Sequence, residues 1–144
     1  MKKKLIVTGG AGFIGSHLCE YLIDKGFKVI CLDNLENGNK KNLINLEKNR
    51  NFTFYKTDIN TVNFNNKAFK NVECVFHLAA LADIVPSIEN PLKYFNTNFN
   101  GTINILEIIR RNKIKKIVYA ASSSCYGIPS FINNKVKKVS ETFP

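Results

Sequence analysis

The sequence predicts an α/β domain built on a doubly wound parallel sheet, and three observations carry that expectation. Apolar runs of strand length alternate with stretches of helical spacing along the chain. A glycine-rich turn separates the first run from the first helix, and the second run ends in an acid, Asp33. Strands alternating with helices imply parallel pairing through crossovers, with a ligand crevice at the strands' carboxyl ends.

The first strand is expected at residues 4–8, and Gly9, Gly12 and Gly15 follow it. Gly9 lets the chain turn sharply, Gly12 leaves room for a phosphate group to approach the backbone, and Gly15 lets the helix pack close to the strand. The helix, at 13–25, takes Phe13, Ile14, Leu18, Tyr21 and Leu22 as its apolar stripe. Its first turn faces the crevice, where unpaired N–H groups and the macrodipole favour an anion. A second strand at 28–32 leads into Asp33, eighteen residues beyond Gly15. That is close to the roughly 20-residue spacing at which a carboxylate meets ribose hydroxyls. The unit therefore reads as dinucleotide-binding.

A short helix is expected at 40–48 and a third strand at 52–56, while the asparagine-rich stretch 61–71 reads as a short helix or loop. The fourth strand is placed at 72–77. A long helix begins near Pro91, because Tyr94, Phe95, Phe99, Ile103, Leu106 and Ile109 recur at helical spacing and proline suits a first turn. The fifth strand is placed at 116–121. There are no internal repeats and no linker, so residues 1–144 form one unit.

Composition narrows the function classes. With 144 residues and 44% apolar content the chain buries one core and is shorter than a typical two-domain enzyme. No uninterrupted apolar stretch reaches the ~18 residues of a membrane span, and Met1 and its lysines run straight into the first strand, so a cytoplasmic protein is expected. Cys19, Cys31, Cys74 and Cys125 show no C-x-x-C pairing and read as reduced thiols; His17 and His77 alone are too few for a zinc site. The net charge of +10 comes from lysines spread along the chain without aromatic platforms, which argues against specific nucleic-acid binding.

The spacing Thr8-Gly9-x-x-Gly12-x-x-Gly15 resembles the short-chain dehydrogenase/reductase superfamily. The string from Gly9 to His17 is similar to its extended branch, the NAD-dependent epimerase/dehydratase family, which includes UDP-glucose 4-epimerases. Further motifs recur in that family's order and spacing: His77-Leu-Ala-Ala80, Asn90-Pro91, Asn98-Phe-Asn-Gly-Thr102 and the run from Tyr119 to Gly127. The resemblance covers essentially the whole chain. It implies a Rossmann-type sheet truncated before its last strands, with NAD as cofactor.

Residue by residue, the resemblance places Gly9, Gly12 and Gly15 at the pyrophosphate and Asp33 at the adenosine ribose. Asp58 and Ile59 fall at the adenine, and Leu78, Ala79 and Ala80 at the cofactor ribose and phosphate. Phe13, Ile14, Asn34, Asn37 and Asn98 complete the implied cofactor set. Ser122 matches the catalytic Ser/Thr that hydrogen-bonds the sugar hydroxyl, and Ser123 and Ser124 match substrate-contacting positions. Read from the residues alone, Asp58 is also a helix cap, Asn98 a helix-interior amide, and 122–124 an ordinary polar turn.

The family's chemistry also needs a Tyr-x-x-x-Lys pair. A string of that form, Tyr21-Leu-Ile-Asp-Lys25, lies on the first helix, with Tyr21 expected in the apolar stripe away from the cofactor. Tyr126 has Ser130 at the fourth position, and in relatives the pair follows a segment like Glu141-Thr-Phe-Pro144. The resemblance thus implies an N-terminal NAD-binding part without the C-terminal substrate domain, inactive alone, whose full-length form pairs as a homodimer. Ala82 stands where UDP-glucose 4-epimerases tend to carry lysine, and the surrounding motifs look more like epimerases of UDP-sugars bearing N-acetyl or carboxyl groups. The alternative is a non-catalytic dinucleotide-binding module or one half of a split enzyme.

Overall fold

The computed structural model describes residues 2–63, 65–126, 131, 132, 135 and 136. Five strands, β1 (Lys4–Thr8), β2 (Lys28–Asp33), β3 (Phe52–Lys56), β4 (Val72–His77) and β5 (Lys116–Tyr119), form one sheet in the order β3-β2-β1-β4-β5. Every pairing in it is parallel. The chain winds outward from β1 to β3, then returns to place β4 on the other side of β1. The order therefore reverses between β1 and β4, whose last residues Thr8 and His77 stand in register. Ligand crevices of doubly wound sheets form at such a reversal.

Strand alternation sends successive side chains to opposite faces. Leu5, Val7, Val29 and Cys31 pack with Cys19, Leu22 and Ile23 of helix α1 (Phe13–Asp24). Ile6, Ile30, Leu32 and Val75 pack on the other face with Ile105, Ile108 and Ile109 of helix α4 (Gly101–Arg111). Two helical layers thus cover one parallel sheet, the doubly wound Rossmann-type architecture expected.

Several expectations need correction. The buried face of α1 is Gly15, Ser16, Cys19, Leu22 and Ile23, whereas Phe13, Ile14 and Tyr21 are exposed. Small residues face inward because the helix lies close against the turn before it, which leaves no room for rings. The expected helix at 40–48 begins with a single 3₁₀ segment, Lys40–Leu43, capped by the Asn39 side chain. A shorter 3₁₀ turn, Lys67–Phe69, occupies the asparagine-rich stretch and buries Phe69. Helix α2 (Ile84–Glu89) was not anticipated, and β5 ends at Tyr119.

The long helix starts at Pro91, as its spacing predicts. It runs as α3 (Pro91–Phe95), a π-helical turn (Asn96–Asn100) and α4. Gly101 is where it meets the sheet side: a Cβ there would lie 2.6 Å from Ile59 Cδ1. Of the stripe read from the sequence, Ile109 is buried and Tyr94 half-buried, but Phe95, Phe99, Ile103 and Leu106 are exposed, and Ile109 shares its buried face with the neighbouring Ile105 and Ile108. A short antiparallel pair, β6 (Phe131–Ile132) and β7 (Lys135–Val136), is separate from the sheet. Among the described residues no helix is long and apolar enough to cross a membrane.

Candidate functional site

The glycine turn is built by close approach. Gly9 has φ +68°, its N–H donates to Leu32 O at 2.8 Å, and a Cβ on it would meet Ala79 N at 2.7 Å. A Cβ on Gly15 would lie 2.1 Å from Gly9 O, so Gly15 seats α1 on the turn itself rather than on the strand. Gly12 faces space, with Gly9 O at 3.3 Å its one near neighbour. Gly12 is also the N-cap of α1, with no side-chain cap and no acid in the first turn. The leading N–H groups of a twelve-residue helix are thus left for an outside acceptor, which suits an anion.

Asp33 is buried at the end of β2 and braces this turn. Its Oδ2 accepts from Ala11 N–H at 2.9 Å and its Oδ1 from Leu35 N–H at 2.8 Å. The Ala11 carbonyl in turn accepts from Asn39 N–H at 3.0 Å and Asn42 Nδ2 at 2.9 Å. Gly38 passes so close that a Cβ there would meet Asp33 Oδ1 at 2.6 Å. Asp33 keeps lone pairs beyond these two bonds for hydroxyls arriving from the crevice.

A cleft of about 250 Å³ opens between the turn and the loop after β4. Gly9, Gly12, Phe13 and Asp33 line it from the first βα unit, and Asn34 and Asn37 from the loop after β2. Ile59 lines it from the segment after β3, next to that loop, and Leu78, Ala79 and Ala80 line it from the loop after β4. The structure therefore brings most of the expected cofactor set to one place. Four of that set are not on its surface: Ile14, Gly15, Asp58 and Asn98.

Each of the four has a different task. Ile14 is exposed on α1 and Gly15 packs on the turn. Asp58 accepts from Asn34 Nδ2 at 3.2 Å and from Asn60 N–H at 2.8 Å and Nδ2 at 3.0 Å. Partial burial pushes its pKa up, but these bonds outweigh that and hold the carboxyl below its ordinary value, so Asp58 is an anionic anchor for Asn34. Asn98 spends both ends of its amide on one residue, accepting from Leu81 N–H and donating to Leu81 O, each at 2.8 Å.

Leu32, Glu36, Gly38, Thr57, Leu81 and Thr97 also line the cleft and were not read from the sequence. Thr97 and Leu81 had no motif of their own; the phase of the long helix beside Asn98 is the signal that points to Thr97. Glu36 forms an ion pair with Lys93 of α3, tying the loop after β2 to the helix across the cleft and holding the Lys93 ammonium above its ordinary value. Cys31, close under the turn, has its thiol pushed up by the Cys19 side-chain hydrogen bond and by burial, so it is an inert protonated group.

Ser122 lies beyond the end of β5, exposed and outside the cleft lining, with Cys125 Sγ donating to its carbonyl at 2.9 Å. Ser123 and Ser124 begin the 3₁₀ turn Ser123–Tyr126. Tyr21 does not lie in a buried stripe: it is 58% exposed, with Lys25 Nζ 5.2 Å from its ring centroid, and it is remote from the cleft lining. Rings cannot enter the tight α1 contact that Gly15 and Ser16 make. Ser130 and residues 141–144 lie outside the described residues.

Known proteins resemble this chain along the same lines. The model of the GDP-mannose 4,6 dehydratase family matches residues 6–144. The UDP-glucose 4-epimerase of Bacillus subtilis is 34% identical over 144 residues, which cover 97% of this chain and 41% of that protein. The UDP-N-acetylglucosamine 4-epimerase from Methanobrevibacter ruminantium, solved in complex with UDP-N-acetylmuramic acid, has a TM-score of 0.80 at 36% identity, covering 97% of this chain and 46% of that one. The UDP-glucose 4-epimerase of Thermus thermophilus, solved with NAD, has a TM-score of 0.76 at 30% identity, covering 98% of this chain and 43% of that one. The chain spans less than half the length of these relatives and matches their N-terminal portion. The family match begins inside β1 and takes in the rest of the sheet through β5, and the chain belongs to the GDP-mannose 4,6 dehydratase family, within the extended short-chain dehydrogenases/reductases.

Proposed function

We propose that residues 1–144 are the NAD-binding unit of a UDP-sugar 4-epimerase, and that the substrate domain lies outside this chain. The observation that carries this reading is the cleft at the strand-order reversal, where an uncapped helix start, a buried aspartate and the backbone of 78–80 converge. Bound NAD supplies a hydride acceptor and donor at its nicotinamide. The residues of this chain do the holding. Gly12 and the first turn of α1 receive the pyrophosphate, and Asp33 accepts from ribose hydroxyls and repels a 2′-phosphate. Asn34, Asn37 and Ile59 enclose the adenosine side. Ser122 would hold the reacting sugar hydroxyl in place by a hydrogen bond, with Ser123 and Ser124 beside the substrate.

The substrate class follows the relatives, since UDP-N-acetylmuramic acid occupies the Methanobrevibacter enzyme. A sugar carrying N-acetyl or carboxyl groups is therefore the favoured substrate. The unit works in the cytoplasm, where the free thiols of Cys19, Cys31, Cys74 and Cys125 stay reduced, and the full-length protein pairs as a homodimer. A second reading, a dinucleotide-binding module without turnover of its own, is favoured by one feature: among the described residues no tyrosine–lysine pair flanks Ser122.

Calorimetric titration with NAD and NADP tests the assignment. NAD is expected to bind at least tenfold more tightly, because a buried carboxylate beside a phosphate dianion costs more than ~1.4 kcal/mol. Equal or tighter NADP binding overturns the role of Asp33, and absence of any dinucleotide binding overturns the reading as a whole.

A further inference from the structure

The loop that walls the cleft after β4 is gripped at both ends, and the two grips share one side chain. At its start, Thr8 Oγ1 accepts from Leu78 N–H and Ala79 N–H, each at 3.2 Å. At its end, the Asn98 amide holds both backbone groups of Leu81. Between them lies the His77 ring, 1% exposed, with Nδ1 2.7 Å from Thr8 Oγ1 and Nε2 3.1 Å from Thr102 Oγ1. Thr102 Oγ1 donates to Asn98 O at 2.7 Å, which ties it to the residue that clamps Leu81.

Counting protons fixes the direction of every bond. Thr8 Oγ1 already accepts two N–H groups, so its single proton goes to His77 Nδ1. Thr102 gives its single proton to the Asn98 carbonyl, so it accepts from His77 Nε2. The ring must be neutral and carry its proton on Nε2. We propose that His77 is a positioning residue: a neutral Nε2–H imidazole that couples the Thr8 grip to the Asn98 grip and so holds residues 78–81 in the shape that receives the dinucleotide. This rests on the NAD reading above and adds to it a residue that does not line the cleft.

Protonation breaks the arrangement, because an Nδ1–H would confront a Thr8 hydroxyl with no other acceptor for its proton. The groups facing the ring are Thr8 on β1, Thr102 on α4 and the Tyr119 ring on β5, 5.8 Å away, of which only the tyrosine titrates. Burial alone, with no charged neighbour contributing, depresses the imidazole to about 4, so the coupling persists through the whole neutral range.

The test uses the intact chain. Two-bond proton–nitrogen NMR of the unliganded protein at neutral pH is expected to show His77 as the Nε2–H tautomer; an Nδ1–H tautomer or an imidazolium overturns the proposal. Thr102→Val, which keeps volume and removes the acceptor, is expected to weaken NAD about tenfold and to speed amide exchange at Leu78, Ala79 and Leu81. Thr102→Ser, which restores the hydroxyl, should bind NAD like the parent and keep its exchange rates. Equal NAD affinity and equal exchange in the valine and serine variants overturn the coupling. If the parent binds no NAD, the cofactor reading falls, while the tautomer and the exchange rates still decide the role of His77. If the valine variant does not fold, the tautomer in the parent decides alone.

Discussion

The two halves of the sheet differ in how completely they are covered. In the half built on β1 and β2, nearly every strand residue is buried, and α1 packs on it with small Gly15, Ser16 and Cys19 next to the turn and Leu22 and Ile23 further along. In the half built on β5, Val118 is 50% and Tyr119 54% exposed. The helix above it presents Phe95, Phe99, Ile103 and Leu106 outward. Phe99, Ile103, Leu106, Ile117 and Tyr119 line, with Asn98 and Thr102, a depression of about 280 Å³. Apolar periodicity is sharper on α4 than on α1, so its strength does not decide which face is covered. Among the described residues, what differs is the presence of a second layer, which teaches that an apolar stripe marks a face to be covered without naming what covers it.

The largest effect should break the covered half. Gly15→Val places a branched side chain where the Gly9 carbonyl already sits, so α1 must move off the turn. A loss of at least ~3 kcal/mol is expected in chemical denaturation, and NAD binding should vanish with it. A variant that melts like the parent would show that the α1 contact is not what organises this half.

Acid should act next, through the junction of the two halves. His77 has an ordinary value of 6.5 and a folded value of about 4. The unfolded chain therefore binds the extra proton between those values. Stability is full above pH 6.5 and falls as pH drops toward about 4, by up to roughly 3 kcal/mol at 1.36 kcal/mol per unit. Urea unfolding across that window should show the slope, and His77→Gln should flatten it. A slope unchanged in the glutamine variant would assign it to other groups.

Gly12→Val separates binding from folding within the covered half. The new side chain meets only the Gly9 carbonyl at 3.3 Å and otherwise enters the cleft. Stability should stay within ~1 kcal/mol of the parent, while NAD affinity falls about a hundredfold, some 2.7 kcal/mol. Unchanged affinity in the folded variant would place the pyrophosphate elsewhere.

The smallest thermodynamic effect belongs to the exposed half. Val118→Lys puts a charge on a half-exposed strand position, and its stability cost should lie within ~0.5 kcal/mol. Light scattering should show less self-association, with NAD affinity unaltered. Persistent association would mean that β5 is not its source.

Much of the site was legible because it is local. The turn from Gly9 to Gly15, the acid at the end of β2 and the small residues 78–80 each follow a strand directly, so their place at the carboxyl edge comes from strand order alone. Gly38 escaped notice because its constraint is the Asp33 carboxylate, five positions away in sequence and in contact only after the loop closes. The stripe on α1 is right at Leu22 and wrong at Phe13, Ile14 and Tyr21, because periodicity counts apolar side chains, whereas the contact next to the turn selects the small Gly15, Ser16 and Cys19. Asp58 and Asn98 matched a motif, yet their amide and carboxylate partners show them bracing the loops around the cleft.

Sequence alone determined the parallel α/β order of the elements, the dinucleotide-type turn and most of the cleft's residues, because strand and helix periodicities and glycine spacing act over a few neighbouring positions. Only the tertiary structure decided which face of each helix is buried, that Thr8, His77 and Thr102 form one proton-ordered chain, and that β5 keeps an exposed face. Those outcomes depend on contacts between residues as many as 69 positions apart, which no local pattern encodes.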